Sequence, residues 1–385
     1  MYFFSGVIMV EPILIDEKGG REYSIDVPRW CSDERNPLSI SGLHGITECQ
    51  IDKKERSIWR YKNAFPKNIS TKVSLGEGCT PLINMEFGGY NALFKLEWFA
   101  PTGSFKDRGA SVMMSLLKHQ NINEVVEDSS GNGGAAIAAY GAAAGIRVNI
   151  VAPESTSVAK IAQIKSYGAK IHLIPGTRED TESAALKMAE TCFYASHNWH
   201  PFFLQGTKTL GYELWEDLNF TAPDNVIIPT GAGSNVLGCD IAFQELKALK
   251  LISKLPRLFA AQPQNCSPIN TAFRAGVSSY IEDSFSSTIA EGTAIKRPIR
   301  LNSVLDALRR SSGGTIALEE NTIAQATLDL AAKGLYAEPT CATAAAAFYK
   351  LVNDGTIKPE ETTVVILTGT GLKVTNFYQQ SLGIS

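Results

Sequence analysis

Residues 124–152 read EVVEDSSGNGGAAIAAYGAAAGIRVNIVA, and this stretch decides the fold class. An extended run over 124–128 leads through a loop of serine and glycine into an alanine-rich run over 135–144, which predicts a helix. Gly145 follows the alanines and is placed to end that helix. The β-branched and apolar run 147–152 then predicts a buried strand. A strand, a helix and a second strand at this spacing form a parallel βαβ unit.

The same alternation continues toward the C-terminus and predicts an α/β fold with parallel-rich sheets. Further predicted helices span 157–167, 179–192 and 236–250, and further predicted strands span 170–175, 226–228, 257–262 and 363–367. Residues 1–70 differ from this pattern, because they are polar and mixed in charge, and they predict a β-rich N-terminal arm. The apolar residues at 1–14 predict a strand or a docked segment within that arm.

The composition limits the class of protein. The 385 residues include 36 Lys and Arg and 39 Asp and Glu, and the net charge of −3 gives no overall attraction for nucleic acid or anionic lipid. The seven cysteines are scattered without a CxxC pair, which disfavours a disulfide framework and a zinc site. We therefore expect a cytoplasmic protein without a bound metal and without a nucleic-acid or membrane partner.

Five short segments carry residues suited to chemistry, and each is predicted beside a strand end or a helix start, where α/β folds bind ligands. Lys106 stands between an aromatic residue and an Asp-Arg pair, where a partly desolvated lysine can form a Schiff base. The loops SSGNGG at 129–134 and TGAGSN at 230–235 precede helices, so their backbone N–H groups can hold a carboxylate or a phosphate. The remaining segments are EPTCA at 338–342 and LTGTGLK at 367–373. Each segment taken alone is also compatible with ordinary capping and turn structure.

The joint occurrence of the segments is more specific for one kind of protein than any single segment. The set comprises LGEGCTPL at 75–82, PTGSFKDRG at 101–109, IPTGAGSN at 228–235, EGTAI at 291–295 and LTGTGLK at 367–373. In order and spacing it resembles the fold-type II pyridoxal-phosphate enzymes, which are tryptophan synthase β-like, and in particular the threonine synthase family, over about residues 56–375. The resemblance implies two αβ domains beside the arm, which would be a degenerate leader over 1–70. The large cofactor-binding domain would comprise 71–105 and 201–385, and the small domain 106–200.

The resemblance also implies roles for individual residues. Lys106 would hold pyridoxal 5'-phosphate as a Schiff base and, once freed, would take the α-proton of the substrate. Asn132 would hydrogen-bond the ring hydroxyl of the cofactor, and Thr368 would face its pyridine nitrogen. The residues expected to bind the cofactor phosphate are Gly231, Ala232, Gly233, Ser234 and Asn235. The residues expected to bind the substrate are Ser129, Ser130, Gly131 and Gly133, at its carboxylate, together with Thr207 and Lys208.

One stretch departs from the family pattern. The family has Asn-Pro-x-Arg before a Gly-x-Lys-Thr element, whereas this chain has HPFF at 200–203, so Phe203 replaces an arginine that would clamp a substrate phosphate. The histidines His197 and His200 are interpreted as packed loop residues rather than catalytic groups.

Three functions are therefore weighed. The first is a threonine synthase-like lyase or synthase that abstracts the α-proton of a small amino acid and then eliminates or replaces a β- or γ-substituent. The second is a serine/threonine deaminase, an ammonia-lyase that needs no phosphate clamp. The third is a non-catalytic pyridoxal-phosphate-binding protein, which the joint presence of Lys106 and Asn132 disfavours. Family resemblance also implies a homodimer.

Overall fold

The computed structural model describes residues 11–66, 69–156, 158–176 and 178–384, so the segment predicted at 1–14 lies mostly outside the described residues. The strands are β1 (Ile13–Asp16), β2 (Glu22–Ser24), β3 (Leu38–Ser41), β4 (Leu82–Phe87), β5 (Tyr90–Leu96), β6 (Glu124–Glu127), β7 (Arg147–Pro153), β8 (Lys170–Ile174), β9 (Phe193–Tyr194), β10 (Asn225–Pro229), β11 (Arg257–Pro263), β12 (Gly314–Leu318) and β13 (Thr363–Leu367). The helices are α1 (Lys106–His119), α2 (Asn132–Ala144), α3 (Val158–Ser166), α4 (Arg178–Met188), α5 (Pro201–Thr207), α6 (Thr209–Asp217), α7 (Ser234–Ala248), α8 (Pro268–Arg274), α9 (Leu301–Arg310), α10 (Glu320–Ala332), α11 (Pro339–Asn353) and α12 (Thr375–Leu382). None of these described helices is long and apolar enough to cross a lipid bilayer. In the described part of the chain the strands form three sheets.

The small parallel sheet contains the stretch that decides the fold class. Its strands lie in the order β8-β7-β6-β9, and every pair is parallel. The βαβ prediction is confirmed, because β6, α2 and β7 follow one another and Gly145 ends α2 with a φ of +72°. The helix begins at Asn132, earlier than the predicted start at 135. Its first turn requires glycine at position 134, because a Cβ there would lie 1.8 Å from the Ser129 carbonyl oxygen.

The large sheet is mixed. Its strands lie in the order β12-β11-β10-β13-β5-β4, and within this sheet the β4–β5 pair is antiparallel while the other described pairs are parallel. The predicted strands at 226–228, 257–262 and 363–367 are confirmed as β10, β11 and β13. Every residue of β10 and β13 is buried, as expected for central strands covered on both faces. The antiparallel hairpin of β4 and β5 was not predicted.

Helices cover both faces of the large sheet. The buried residues of α7 and α9 form a core on one face, and those of α10 and α11 form a core on the other. A third core surrounds α1 and α2. This third core also contains Phe202 and Phe203 of α5 and Leu14, Ile25 and Leu38 of the N-terminal region. The predicted domain boundaries stay predictions.

The N-terminal sheet is held by one buried arginine. Strand β1 pairs antiparallel with β2 and β3. Arg300, which precedes α9, is buried and forms an ion pair with Glu17. Its Nη2 donates to the carbonyl oxygens of Leu38 at 2.9 Å and Trp199 at 2.6 Å. A single guanidinium therefore connects the N-terminal sheet, the loop before α5 and α9.

Candidate active site

A cavity of about 440 Å³ lies at the carboxyl ends of β6, β7, β10 and β13. Loops at the carboxyl ends of parallel strands are the usual place for ligands in α/β folds. The predicted site residues that line this cavity are Lys106, Ser129, Ser130, Gly131, Asn132, Gly133, Gly231, Ala232, Gly233, Ser234, Asn235 and Thr368. Segment 291–295 and Glu338 line it as well. Residues from six separate parts of the sequence therefore meet at one cavity.

Lys106 is the first residue of α1. A backbone hydrogen bond of the preceding residue holds it next to the loop after β13. The N–H of Phe105 donates to the carbonyl oxygen of Thr368 at 3.0 Å. Lys106 Nζ lies 4.8 Å from the ring centroid of Phe105 and 5.6 Å from that of Phe203. The amine therefore sits against two aromatic rings beside the cavity, within reach of a bound ligand.

The glycine-rich loop 231–235 opens α7 and provides an anion site. The first N–H groups of a helix have no intrahelical acceptor, and the helix dipole favours negative charge there. Gly233 has a φ of +94°, and a Cβ at this position would lie 2.3 Å from Cγ2 of Val304. Asn235 is buried, and its Oδ1 and Nδ2 have no hydrogen-bond partner among the described residues. The first-turn N–H groups and the Nδ2 donor of Asn235 suit a phosphate group.

The serine-rich loop that opens α2 provides a second anion site. The N–H of Gly131 donates to Ser129 Oγ at 3.4 Å, which turns the chain into the helix. A Cβ on Gly133 would lie 2.7 Å from Cε1 of His197, so glycine is required beside that ring. The first-turn N–H groups of α2 are available to a carboxylate for the same reason as those of α7.

Thr368 presents a neutral hydroxyl to the cavity directly after β13. Its Oγ1 lies 3.5 Å from Sγ of Cys341, and that sulfur lies 2.9 Å from the carbonyl oxygen of Gly369. Burial raises the pKa of the Cys341 thiol, so the thiol keeps its proton. Both side chains at this end of β13 are therefore uncharged.

Three charged residues of the cavity wall, Lys160, Lys373 and Glu338, had no predicted role. Lys373 Nζ donates to Asn132 Oδ1 at 2.8 Å, and Asn132 Nδ2 donates to Glu338 at 3.1 Å. Burial raises the pKa of Glu338 and lowers that of Lys373, while the attraction between the two opposes both shifts. Lys160 of α3 forms an ion pair with Glu291. Lys373 and Glu338 lie inside quoted motifs, but nothing in the motifs indicates that they meet at Asn132.

The two histidines differ in position. His197 lines the cavity, and Glu127 holds it through Nδ1 at 2.9 Å and through its backbone N–H at 2.9 Å. His197 is therefore packed and hydrogen-bonded, in agreement with its interpretation, and it also faces the cavity. His200 is buried and caps α5, because its Nδ1 accepts from the N–H of Phe202 at 3.3 Å. Burial lowers the pKa of His200 to about 3, so its ring is neutral near pH 7.

Thr207 and Lys208 lie away from the cavity, and the structure corrects the prediction that they contact the substrate. Lys208 is fully buried, and its Nζ donates to the carbonyl oxygen of Ala64 at 2.8 Å and to Glu245 at 2.9 Å. Thr207 Oγ1 donates to the carbonyl oxygen of Ser234 at 3.2 Å. The Lys208 amine is buried and paired with a carboxylate, so it is not available to a ligand.

Phe203 is also buried and does not line the cavity. Its ring packs against Gly109 of α1, where a Cβ would lie 2.5 Å from three ring carbons. The ring also meets His197 edge-on with centroids 5.6 Å apart. No arginine lines the cavity among the described residues. The ring of Phe203 therefore packs against Lys106 and His197 and contributes no charge to the cavity.

Comparison with known proteins gives matches over most of the chain. The family described as pyridoxal-phosphate dependent enzyme matches residues 73–369. Threonine synthase of Methanocaldococcus jannaschii is 34% identical over 337 residues, which are 85% of this chain and 83% of that protein. Threonine synthase of Methanosarcina acetivorans is 32% identical over 368 residues, which are 92% of this chain and 90% of that protein.

Solved structures share the fold at lower identity. The L-serine ammonia-lyase of Rhizomucor miehei has a TM-score of 0.69 and 21% identity, with 79% of this chain and 98% of that chain covered. The threonine deaminase isoform 2 of Solanum lycopersicum has a TM-score of 0.68 and 21% identity, with 89% and 91% covered.

Proposed function

The chain belongs to the family of pyridoxal-phosphate dependent enzymes, and from this premise we propose how its own residues use the cofactor and the substrate. It is a pyridoxal 5'-phosphate-dependent lyase that resembles threonine synthase. The observation that carries the proposal is the meeting of Lys106, the glycine loop 231–235 and the α2 loop 129–133 at one cavity.

The residues present fit this cofactor. The first turn of α7 and the unpartnered amide of Asn235 suit its phosphate, and the hydroxyl of Thr368 suits its ring nitrogen. The amide of Asn132 lies on the same cavity and suits the ring hydroxyl. Lys106 supplies the amine that holds the cofactor aldehyde. When bound, the cofactor withdraws electrons from the α-carbon of an attached amino acid, so that the α-proton becomes removable.

Lys106 is the base in this proposal. Its Nζ would take the proton from the α-carbon. The rings of Phe105 and Phe203 exclude water from one side of the amine. The first turn of α2 binds the carboxylate of the substrate, with Ser129, Ser130, Gly131 and Gly133 as the contact residues, and thereby orients the α-carbon toward Lys106.

The neutral hydroxyl of Thr368 decides how strongly the cofactor withdraws electrons. A carboxylate at this position would favour a protonated ring nitrogen, whereas a hydroxyl favours an unprotonated and less electrophilic ring. This setting suits elimination and replacement at the β- or γ-carbon, where the electron pair leaves with the substituent. It suits reactions that need a long-lived carbanion less well.

Reduction with borohydride followed by peptide mapping tests the cofactor attachment. We expect the reduced cofactor on the peptide that contains Lys106, and no label on a Lys106→Ala variant. Label on another lysine, or none on the natural protein, would refute the proposed function and favour a non-catalytic binding protein.

A second candidate function is a serine/threonine deaminase. Two observations favour it: Phe203 is buried where the family has arginine, and no arginine lines the cavity among the described residues. Assays with O-phosphohomoserine, L-threonine and L-serine separate the two functions. Phosphate release with formation of threonine identifies the synthase, whereas a 2-oxo acid and ammonia from threonine or serine identify the deaminase.

We also propose a localisation, an oligomeric state and a domain organisation. We expect a cytoplasmic homodimer that acts on a small amino acid, with an arm over 1–70, a large domain over 71–105 and 201–385, and a small domain over 106–200. Each of the seven cysteines carries a free thiol, which supports a reducing compartment. Light scattering on the purified holoenzyme tests the oligomeric state.

A further inference from the structure

We propose that Lys373 and Glu338 are positioning residues that fix the side-chain amide of Asn132 in one orientation and thereby set the charge around the cofactor ring. The inference rests on the proposed function, in which Asn132 contacts the ring hydroxyl. Neither residue is otherwise used by the mechanism.

The hydrogen-bond partners of Asn132 allow one orientation only. Lys373 Nζ lies 2.8 Å from Oδ1, and the Glu338 oxygens lie 3.1 and 3.3 Å from Nδ2. An ammonium group only donates, and a carboxylate only accepts. A flipped amide would place its N–H groups against the ammonium and its oxygen against the carboxylate. The amide of Asn132, which lines the cavity, is therefore held with Nδ2 toward Glu338 and Oδ1 toward Lys373.

The backbone holds both partners in place. The N–H of Glu338 donates to the carbonyl oxygen of Gly369 at 3.2 Å, which joins the start of α11 to the loop after β13. A Cβ on Gly369 would lie 2.4 Å from a Glu338 oxygen, so only glycine leaves room for that carboxylate. The loop that carries Lys373 is held on the other side, where the N–H of Thr370 donates to the carbonyl oxygen of Gly103 at 3.1 Å. Gly369 thus leaves the space that the Glu338 carboxylate occupies.

The two charges balance each other beside the cavity. The charges of Lys373, Lys160 and Glu291 act on the pKa of Glu338. The charges of Glu338, Asp107 and Lys160 act on the pKa of Lys373. Loss of either member leaves the charge of the other uncompensated in a buried setting. The cofactor is the group next to this pair that changes protonation visibly, so it can report the change.

The test uses the holoenzyme and the pH midpoint at which the visible absorption of the bound cofactor changes. Lys373→Met removes a positive charge, which favours the protonated form of the cofactor, so we expect the midpoint to rise by about one pH unit. Glu338→Gln removes a negative charge, so we expect the midpoint to fall by a similar amount. Equal midpoints in both variants and the natural enzyme would overturn the inference.

A double-mutant cycle separates orientation of Asn132 from simple proximity of charge. If Lys373 acts through Asn132, the shift caused by Lys373→Met becomes much smaller in an Asn132→Ala background. A shift of the same size in both backgrounds would show that Lys373 does not act through the amide.

Lys160→Met is the matched control, because Lys160 lines the same cavity but pairs with Glu291 and not with Asn132. Its effect on the midpoint should be the same with or without Asn132. Failure of this inference differs from failure of the proposed function. In the first case borohydride still fixes the cofactor on Lys106 and only the midpoints stay unchanged, whereas in the second case Lys106 carries no label.

Discussion

At the scale of single residues, burial changes the chemistry of groups that the sequence presents side by side. Lys106 lines the cavity, whereas its neighbour Asp107 does not. Asp107 is fully buried and accepts hydrogen bonds from the N–H and the hydroxyl of Thr102. These bonds favour the charged carboxylate, but burial outweighs them and raises the pKa of Asp107 to about 7.

This pKa predicts a pH dependence of stability. Between about pH 4 and pH 7 the folded protein keeps a proton on Asp107 that the unfolded chain releases, so this group lowers the free energy of unfolding as the pH rises. An Asp107→Asn variant is neutral throughout. We therefore expect its stability relative to the natural holoenzyme to increase by about 2 kcal/mol from pH 5 to pH 7 in urea titrations. Parallel pH profiles of the two proteins would contradict this expectation.

Lys208 provides a second test at this scale. Lys208→Met leaves the buried carbonyl oxygen of Ala64 without its donor and the partly buried Glu245 without its cation, so we expect a loss of about 3 kcal/mol in the free energy of unfolding. The KM for the amino-acid substrate should stay within about twofold, because the Lys208 side chain does not reach the cavity. The double variant Lys208→Met/Glu245→Gln should recover part of the stability. A tenfold rise in KM in a folded variant would restore the role in substrate binding.

At the scale of elements, glycines allow α1 and α5 to pack closely behind the lysine. A Cβ on Gly206 of α5 would lie 2.0 Å from the carbonyl oxygen of Arg108 in α1. A Cβ on Gly109 would instead meet the side chain of Phe203 at 2.5 Å. The Cβ at position 206 would meet backbone, whereas the Cβ at position 109 would meet a side chain. Repacking of side chains can therefore relieve only the clash at position 109.

We therefore expect different outcomes for the two glycines. Gly109→Ala should lower the free energy of unfolding by about 1–3 kcal/mol, and Gly109→Ala/Phe203→Leu should recover most of that loss. Gly206→Ala should also destabilise the protein, but adding Phe203→Leu should not rescue it. Thermal unfolding of the four variants measures both effects. Equal rescue of both glycine variants would contradict the packing described here.

Elements with a clear local pattern were predictable, and pairings over long distances were not. The alternation in 124–152 predicted β6, α2 and β7 because each element has its own periodicity and end signal. The hairpin of β4 and β5 was missed because its strands are partly exposed and lack a buried apolar run. Likewise the loops at 129–134 and 367–373 were visible as motifs. The contact between Asn132 and Lys373 was not, since the two residues are 241 positions apart and only the fold joins them.

At the scale of the whole molecule, Arg300 connects parts that are far apart in sequence. It joins Glu17, Leu38 and Trp199 while it is itself buried. Ser303 of α9 also donates to Glu17, at 2.7 Å. The N-terminal sheet is therefore attached through buried polar contacts as well as through its apolar residues in the core around α1 and α2.

Loss of this guanidinium should loosen the N-terminal sheet. Arg300→Met leaves Glu17 without its cation, and we expect a loss of about 3–5 kcal/mol in the free energy of unfolding. Hydrogen exchange should become faster in β1, β2 and β3. The matched control is Arg297→Met, because Arg297 is exposed and its contact with the exposed Glu282 is 3.6 Å long. This control should change neither measurement, and unchanged exchange in Arg300→Met would refute the attachment.

The central position of β13 in the large sheet has a consequence for protein synthesis. Strand β13 lies between β10 and β5, although it is translated after both of them. Until residues 363–367 have left the ribosome, β5 and β10 each keep an open edge that can pair with another chain. Thr368 follows β13 directly, so the sheet and the cofactor site are completed by the same late stretch of the nascent polypeptide. Until these residues are made, the nascent chain therefore exposes strand edges that can pair with another chain, and the cavity lacks the hydroxyl of Thr368.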